Sequence, residues 1–258
     1  MQGVPNPILV HEFATEGDLR TFLKERQKLP FSTRAKLCSD VGEGLRALHS
    51  CNIAHNDIKL DNILIFKVKD PGSFDSFTYV AKVADFGHAI MVPDNPKSIT
   101  GTAIYAAPET SYGRKLGGEE FFQADCYSFG ILMWIFFLGC DPLRSFWMGN
   151  PAVPRVEDDQ QDPDPDDVNN NRVLYHLYGK NFEKYLDVSD LENRGYAIWN
   201  CKQSGGLVSV VTETLRLSVS RDMESDMNTE LVEEIIELAI ALDPKKRELK
   251  KVLTMLTR

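Results

Sequence analysis

Between a helical stripe of apolar residues and a run of aliphatic ones, the chain carries a mostly polar string, His55-Asn56-Asp57-Ile58-Lys59-Leu60-Asp61-Asn62. Leu37, Val41, Leu45 and Leu48 recur every three or four residues between Ser32 and His49, which places them on one face of an amphipathic helix leading into the string. Beyond it, Ile63-Leu64-Ile65-Phe66 and Tyr79-Val80-Ala81-Lys82-Val83 read as two short strands. The segment from Lys69 to Phe77 holds Pro71-Gly72 and reads as the turn of a β-hairpin. The polar string is therefore a loop set between a helix and a hairpin.

On an extended loop Asp57 and Lys59, two apart, project to the same side. There the carboxylate can accept a hydroxyl proton, the ammonium can neutralise a phosphate, and Asn62 can reach a metal. Asp85-Phe86-Gly87 and Ala107-Pro108-Glu109 follow in that order. Each short motif occurs by chance in unrelated chains. Together, at workable spacing, they point to phosphoryl transfer, which asks a protein mainly for positioning and charge neutralisation.

At 258 residues the chain suits one large domain or two small ones, and a domain of this size buries roughly three quarters of its unfolded surface. A net charge of -9 without clustered Lys and Arg argues against a nucleic-acid partner. Five cysteines, at 38, 51, 126, 140 and 201, form no Cys-x-x-Cys pair, which fits reduced thiols in a cytoplasmic or nuclear protein. Met1-Gln2-Gly3-Val4-Pro5 lacks the basic start and long apolar stretch of a signal peptide. The most apolar run, Phe129 to Leu138, is about half the roughly 20 residues that span a bilayer. A buried core helix is expected there, and no membrane partner.

Elsewhere the pattern predicts a helix opening at Gly17-Asp18-Leu19 and ending near Leu29-Pro30, and one apolar all round from Asp125 to Leu138. Residues 151–172 are rich in Asp, Glu, Pro and Asn and are expected to be a disordered, solvated spacer. Leu231, Ile235, Leu238 and Leu242 mark a helix closed by Asp243-Pro244, and Val252, Leu253 and Leu256 a short last one. No internal repeat is present. The fold class expected is α+β, mainly α.

Taken together, the three motifs resemble those of eukaryotic-type protein kinases of the Ser/Thr branch, specifically their larger, C-terminal lobe. The resemblance implies roles for individual residues. Asp57 would be the catalytic base, Lys59 the cation on the moving phosphoryl group, and Thr102 the hydroxyl that contacts both. Asn62 and Asp85 would be magnesium ligands. ATP would meet the hinge backbone at Glu12 and Ala14, Leu64 as a floor and Asp18 near the ribose, with His11 guarding the rear as a packed or half-exposed strand end. His55 and Phe86 would belong to a hydrophobic column, Asp125 would hold the catalytic-loop backbone, and Glu109 with Arg247 would form a buried ion pair. Gly101-Thr102-Ala103-Ile104-Tyr105 and the Lys at 59 imply a serine or threonine acceptor on a protein substrate.

Three departures from the family pattern shape the expectation. Asn56 stands where regulated kinases carry an Arg that anchors activation-loop phosphate, which argues against switching through Ser98 or Thr100. The hairpin connection is longer than the family usually has, as a surface insertion would be. Only ten residues precede His11, so residues 1–14 are expected to be the last small-lobe strand, Ile8-Leu9-Val10, and the hinge, and 15–258 the C-terminal lobe. By that reading the small lobe is missing and the chain nearly inactive unless a lobe or partner completes the ATP site; the alternative is a noncatalytic pseudokinase module.

Overall fold

The structure, a computed structural model, describes residues 10–26, 29–70, 76–92, 95–98, 101–110, 114–138, 194–222 and 229–256. Asp18 begins the first helix: its carboxylate accepts the Thr21 amide at 2.9 Å and caps α1, Leu19–Glu25. This helix is shorter than the sequence predicts, ending where Arg26 leaves the helical region at φ -127 and ψ 69. The long amphipathic helix appears as α2, Phe31–Ser50, with Leu37, Val41 and Leu45 buried along its inner stripe. A two-residue strand β1, Ile53–Ala54, follows and leads into the polar loop.

The expected hairpin is present and longer than expected. β2, Ile63–Lys69, pairs antiparallel with β3, Phe77–Val83, in a register that sets Ile63 opposite Val83 and Lys69 opposite Phe77. β4, Ile90–Met91, returns to pair with β1, so the segment between β3 and β4 is pinned on both sides beside the polar loop. The chain from Thr15 to Asp18 lies along β2. The Ile65 amide bonds to the Gly17 carbonyl at 2.8 Å, and Leu64 bridges Asp18.

Around these small sheets the fold is helical. α3, Glu120–Leu138, is its centre, every residue from Ala124 to Leu138 being buried. By length and composition alone this helix could cross a membrane, but 83% of its apolar window is buried inside the fold, as the expected core helix should be. It packs against α2, against α5, Gly206–Asp222, and against α6, Thr229–Ala239. α4, Arg194–Gln203, sits before α5, and α7, Leu249–Leu256, closes against α2 and α6. The helix predicted through Leu242 stops at Ala239, because Asp243-Pro244 opens a separate short turn, Pro244–Lys246, capped by Asp243.

Val10 belongs to no strand and is 90% exposed, and His11, expected packed or half-exposed, is exposed as well. The rest of the strand expected at Ile8-Leu9-Val10, the middle of the hairpin connection and the whole acidic stretch at 151–172 lie outside the described residues. Cys38, Cys51, Cys126 and Cys201 are free thiols.

Candidate active site

Asp125, buried on the central helix, builds the polar loop from beneath. Its two oxygens accept the backbone amides of His55 at 2.7 Å and Asn56 at 2.8 Å, and His49 reaches the first of them at 3.0 Å. A buried carboxylate so bonded can hold a loop that has no ladder of its own. The fully buried His55 continues the arrangement. Its Nδ1 accepts the Asp57 amide at 3.3 Å, which leaves the proton on Nε2, and Nε2 donates to the Ala84 carbonyl at 3.0 Å. The ring of Phe86 lies 5.5 Å from that of His55, although Phe86 itself is 52% exposed.

From this footing Asp57 emerges with both oxygens engaged. Oδ1 accepts the Thr102 hydroxyl at 2.7 Å and the Thr102 amide at 3.0 Å; Oδ2 accepts Lys59 Nζ at 2.6 Å and Asn62 Nδ2 at 3.0 Å. Lys59 also donates to the Thr102 hydroxyl at 3.1 Å. Burial by itself would raise the Asp57 carboxyl, but the Lys59 and Thr102 bonds outweigh it and hold the group below the usual carboxylate range. Gly101 makes this approach possible, since a Cβ there would lie 2.5 Å from the Asn56 carbonyl oxygen.

Asn62 donates from the same Nδ2 to the Asp57 carbonyl at 2.8 Å, which leaves its Oδ1 as the oxygen able to ligate a cation. The Asn62 carbonyl accepts the Ala84 amide at 2.8 Å, and so sets Asp85 beside it. Asp85 is exposed and left-handed at φ 60, with one oxygen accepting the Gly87 amide at 3.2 Å. Among the described residues no group of three or more His, Cys, Asp or Glu could hold a metal alone. An amide and a carboxylate are instead the partial, hard-oxygen set that magnesium takes when phosphates and water complete its shell.

The expected nucleotide residues converge on one edge of the hairpin. Leu64 pairs with Lys82 across β2 and β3 and bridges Asp18, while Lys82 forms an ion pair with Glu12. The Ala14 carbonyl accepts the Gly17 amide at 3.3 Å. Asp18 is already occupied as a helix cap, its second oxygen accepting the Thr21 hydroxyl at 3.1 Å.

Other side chains fasten the site to the rest of the fold. Arg20 grips Asp61 through two bonds of 2.8 and 2.9 Å and also reaches the Tyr105 hydroxyl at 3.2 Å, tying α1 to the polar loop. Asn56, left-handed at φ 64, donates to the His88 carbonyl at 3.1 Å. Arg247 and Glu109 form the expected buried pair. Lys202, buried in the last turn of α4, has no motif around it that could have announced it.

The family model of the protein kinase domain matches residues 4–248. The chain belongs to the protein kinase domain family. Relatives of this kinase domain include a probable serine/threonine-protein kinase of Dictyostelium discoideum, 34% identical over 129 residues that make up 48% of this chain and 28% of the relative. An Aurora kinase of Yarrowia lipolytica is 32% identical over 137 residues, 53% of this chain and 33% of its own. The dual specificity protein kinase zakA of Dictyostelium discoideum is 30% identical over 166 residues, 62% of this chain and 21% of its own. The matched kinase region thus spans a third or less of each of these relatives. Because the family match runs through nearly the whole chain, it shows neither a missing lobe nor an inactive protein. The expectation of a half enzyme gains no support.

Proposed function

We propose that this kinase domain transfers the γ-phosphate of ATP to serine or threonine hydroxyls of a protein substrate. The observation that carries the reading is the closed set of bonds among Asp57, Lys59, Asn62 and Thr102. Asp57 orients the acceptor hydroxyl and takes its proton. Its lowered pKa makes it a weak base, which suits a loose transition state in which the hydroxyl proton leaves late. Lys59 carries the positive charge that meets the moving phosphoryl group, and the Thr102 hydroxyl keeps both side chains in place. Asn62 and Asp85 would hold magnesium, which would supply charge neutralisation to the phosphates. Leu64 and the backbone from Glu12 to Ala14 would receive the adenine.

Serine or threonine as acceptor rests on Lys59 and on the loop that starts at Gly101-Thr102. The test is transfer of radiolabelled phosphate from MgATP to a generic protein substrate, followed by phosphoamino-acid analysis. Phosphoserine or phosphothreonine is expected, lost in Asp57→Ala and in Asp85→Ala. Transfer that survives both substitutions would reject the reading.

A further inference from the structure

We propose that Lys202 is a positioning residue that clamps the acceptor-side loop 103–106 and so fixes Thr102 against Asp57. This rests on the kinase reading above. Lys202 Nζ donates to three backbone carbonyls of the loop, Ala103 at 3.1 Å, Ile104 at 2.6 Å and Ala106 at 2.9 Å. Ser128 takes the Tyr105 carbonyl between them at 3.1 Å, and the neighbouring Gln203 takes that of Pro108 at 2.6 Å. The carbonyls of 103–106 are thus all bonded to side chains of α3 and α4, in a stretch with no strand to pair with.

The loop is continuous with the chemistry. The Tyr105 and Ala106 amides bond back to the Thr102 carbonyl at 2.9 and 3.0 Å, while the Thr102 hydroxyl and amide hold Asp57. Displacing 103–106 therefore displaces Thr102.

What makes Lys202 more than a packing residue is its charge. The side chain is only 3% exposed, and among the described residues no carboxylate pairs with it. Among the described residues the groups facing it are few. Its neighbour Cys201 has a thiol pushed up to about 11 by burial. Tyr127 from α3 presents its ring at 5.6 Å with a hydroxyl that burial keeps protonated, and Arg247 beyond that ring is paired with Glu109. Burial pushes the Lys202 ammonium down to about 7, but three carbonyl acceptors use all three of its N–H groups, which a neutral amine could not supply. A buried cation with no carboxylate partner among the described residues is retained here by the loop it binds. An apolar residue of similar length would fill the same space and leave three carbonyls unpaired.

Lys202→Met in the full chain tests this, with hydrogen exchange at the Tyr105 and Ala106 amides and steady-state kinetics read side by side. Exchange at those two amides is expected to rise at least about tenfold, and the KM for protein substrate by a similar factor, with the KM for ATP within about twofold of wild type. Lys202→Gln, which keeps two N–H donors, should fall between wild type and Lys202→Met and serves if the latter does not fold. Unchanged exchange at Tyr105 and Ala106 in a folded variant overturns the clamp, as does an equal loss in both KM values. A wild-type chain that transfers no phosphate sinks the kinase reading alone, since the exchange measurement still decides the clamp.

Discussion

Asp57 accepts four hydrogen bonds, about as many as a carboxylate has lone-pair sites. An incoming hydroxyl must therefore displace one of these donors, and the Thr102 hydroxyl, like Lys59 and Asn62, has another partner to keep. The Thr102 hydroxyl bond can be tested by Thr102→Val, which preserves the shape and removes the donor. Burial then acts on Asp57 with less opposition, so its pKa rises toward the ordinary range. Since the basic form exists only above the pKa, the acid limb of the kcat/KM profile should move to higher pH, and kcat should fall by about tenfold for one lost charge-assisted bond. An unmoved acid limb would show that Thr102 does not tune Asp57. That Asp57, Lys59, Asn62 and Thr102 come together was legible in the sequence, because three of them share one short loop and the proposed phosphoryl transfer restricts which side chains can stand there. Lys202 was not, because a single lysine 99 positions after Ala103 carries no spacing that separates it from a surface lysine, and only the fold brings it to the loop 103–106. Asn56 was half legible: the replacement is visible in the sequence, its bond to His88 is not.

Helices followed the strength of their patterns. α2 could be read to within a residue of each end from its regular apolar stripe, whereas α3, read from its apolarity as starting at Asp125, begins five residues earlier at Glu120. α5 was missed although Leu207, Val210, Val211 and Leu215 are buried at helical spacing, because its Val, Ser and Thr content weakens the helical signal in a single sequence. β1 and β4, two residues each, are too short to carry a periodicity at all, and they exist because the polar loop and the segment after β3 are held close by the core. The centre of α3 offers a test of packing against propensity. A Cβ at Gly130 would lie 2.6 Å from Ile240 and 2.8 Å from Ala239 on the segment facing it. Ala in place of Gly gains about 1 kcal/mol of helix propensity, whereas overpacking a tight core costs about 1–3 kcal/mol. The contact includes the backbone of Ala239, which cannot rotate away, so packing should win. Gly130→Ala is expected to lower the urea midpoint by the equivalent of about 1 kcal/mol or more, and a midpoint at or above wild type would mean that α6 can shift freely on α3.

Across the whole molecule, polar groups that would ordinarily lie at the surface are used to fasten loops to the helical core. Asp125 holds the polar loop, Lys202 the acceptor loop, and Arg247 joins Glu109 to the carbonyls of Ala241 and Leu242. In Glu109→Gln the Arg247 charge stays buried without its partner, a change that costs about 3–5 kcal/mol in comparable pairs. The remaining carbonyls and the Tyr127 ring at 4.8 Å should keep the loss near the lower end. Chemical denaturation would read it directly, and a loss under about 1 kcal/mol would show that the carbonyls alone hold the arginine. The same burial makes stability depend on pH, in opposite senses in two ranges. Burial pushes the Lys202 ammonium down to about 7 from an ordinary 10.5, and deprotonation there also gives up one of its three carbonyl bonds. Between these values the unfolded chain binds a proton that the folded chain does not, so the penalty is complete below about pH 7 and is relieved as pH rises. Cys38, Cys126 and Cys201 act the other way. Burial raises their thiols above the ordinary 9.0, so above that pH the unfolded chain loses protons that the folded chain keeps, and stability falls. These groups together give a rise from about pH 7 toward 9 and a decline beyond. Urea unfolding of wild type and Lys202→Met at intervals between pH 7.0 and 8.8, below the range of the thiols, isolates the lysine, because every other titrating group is shared. The wild type should gain stability relative to the variant as pH rises; a difference that stays flat would mean that the three carbonyls hold the Lys202 ammonium as firmly as water does.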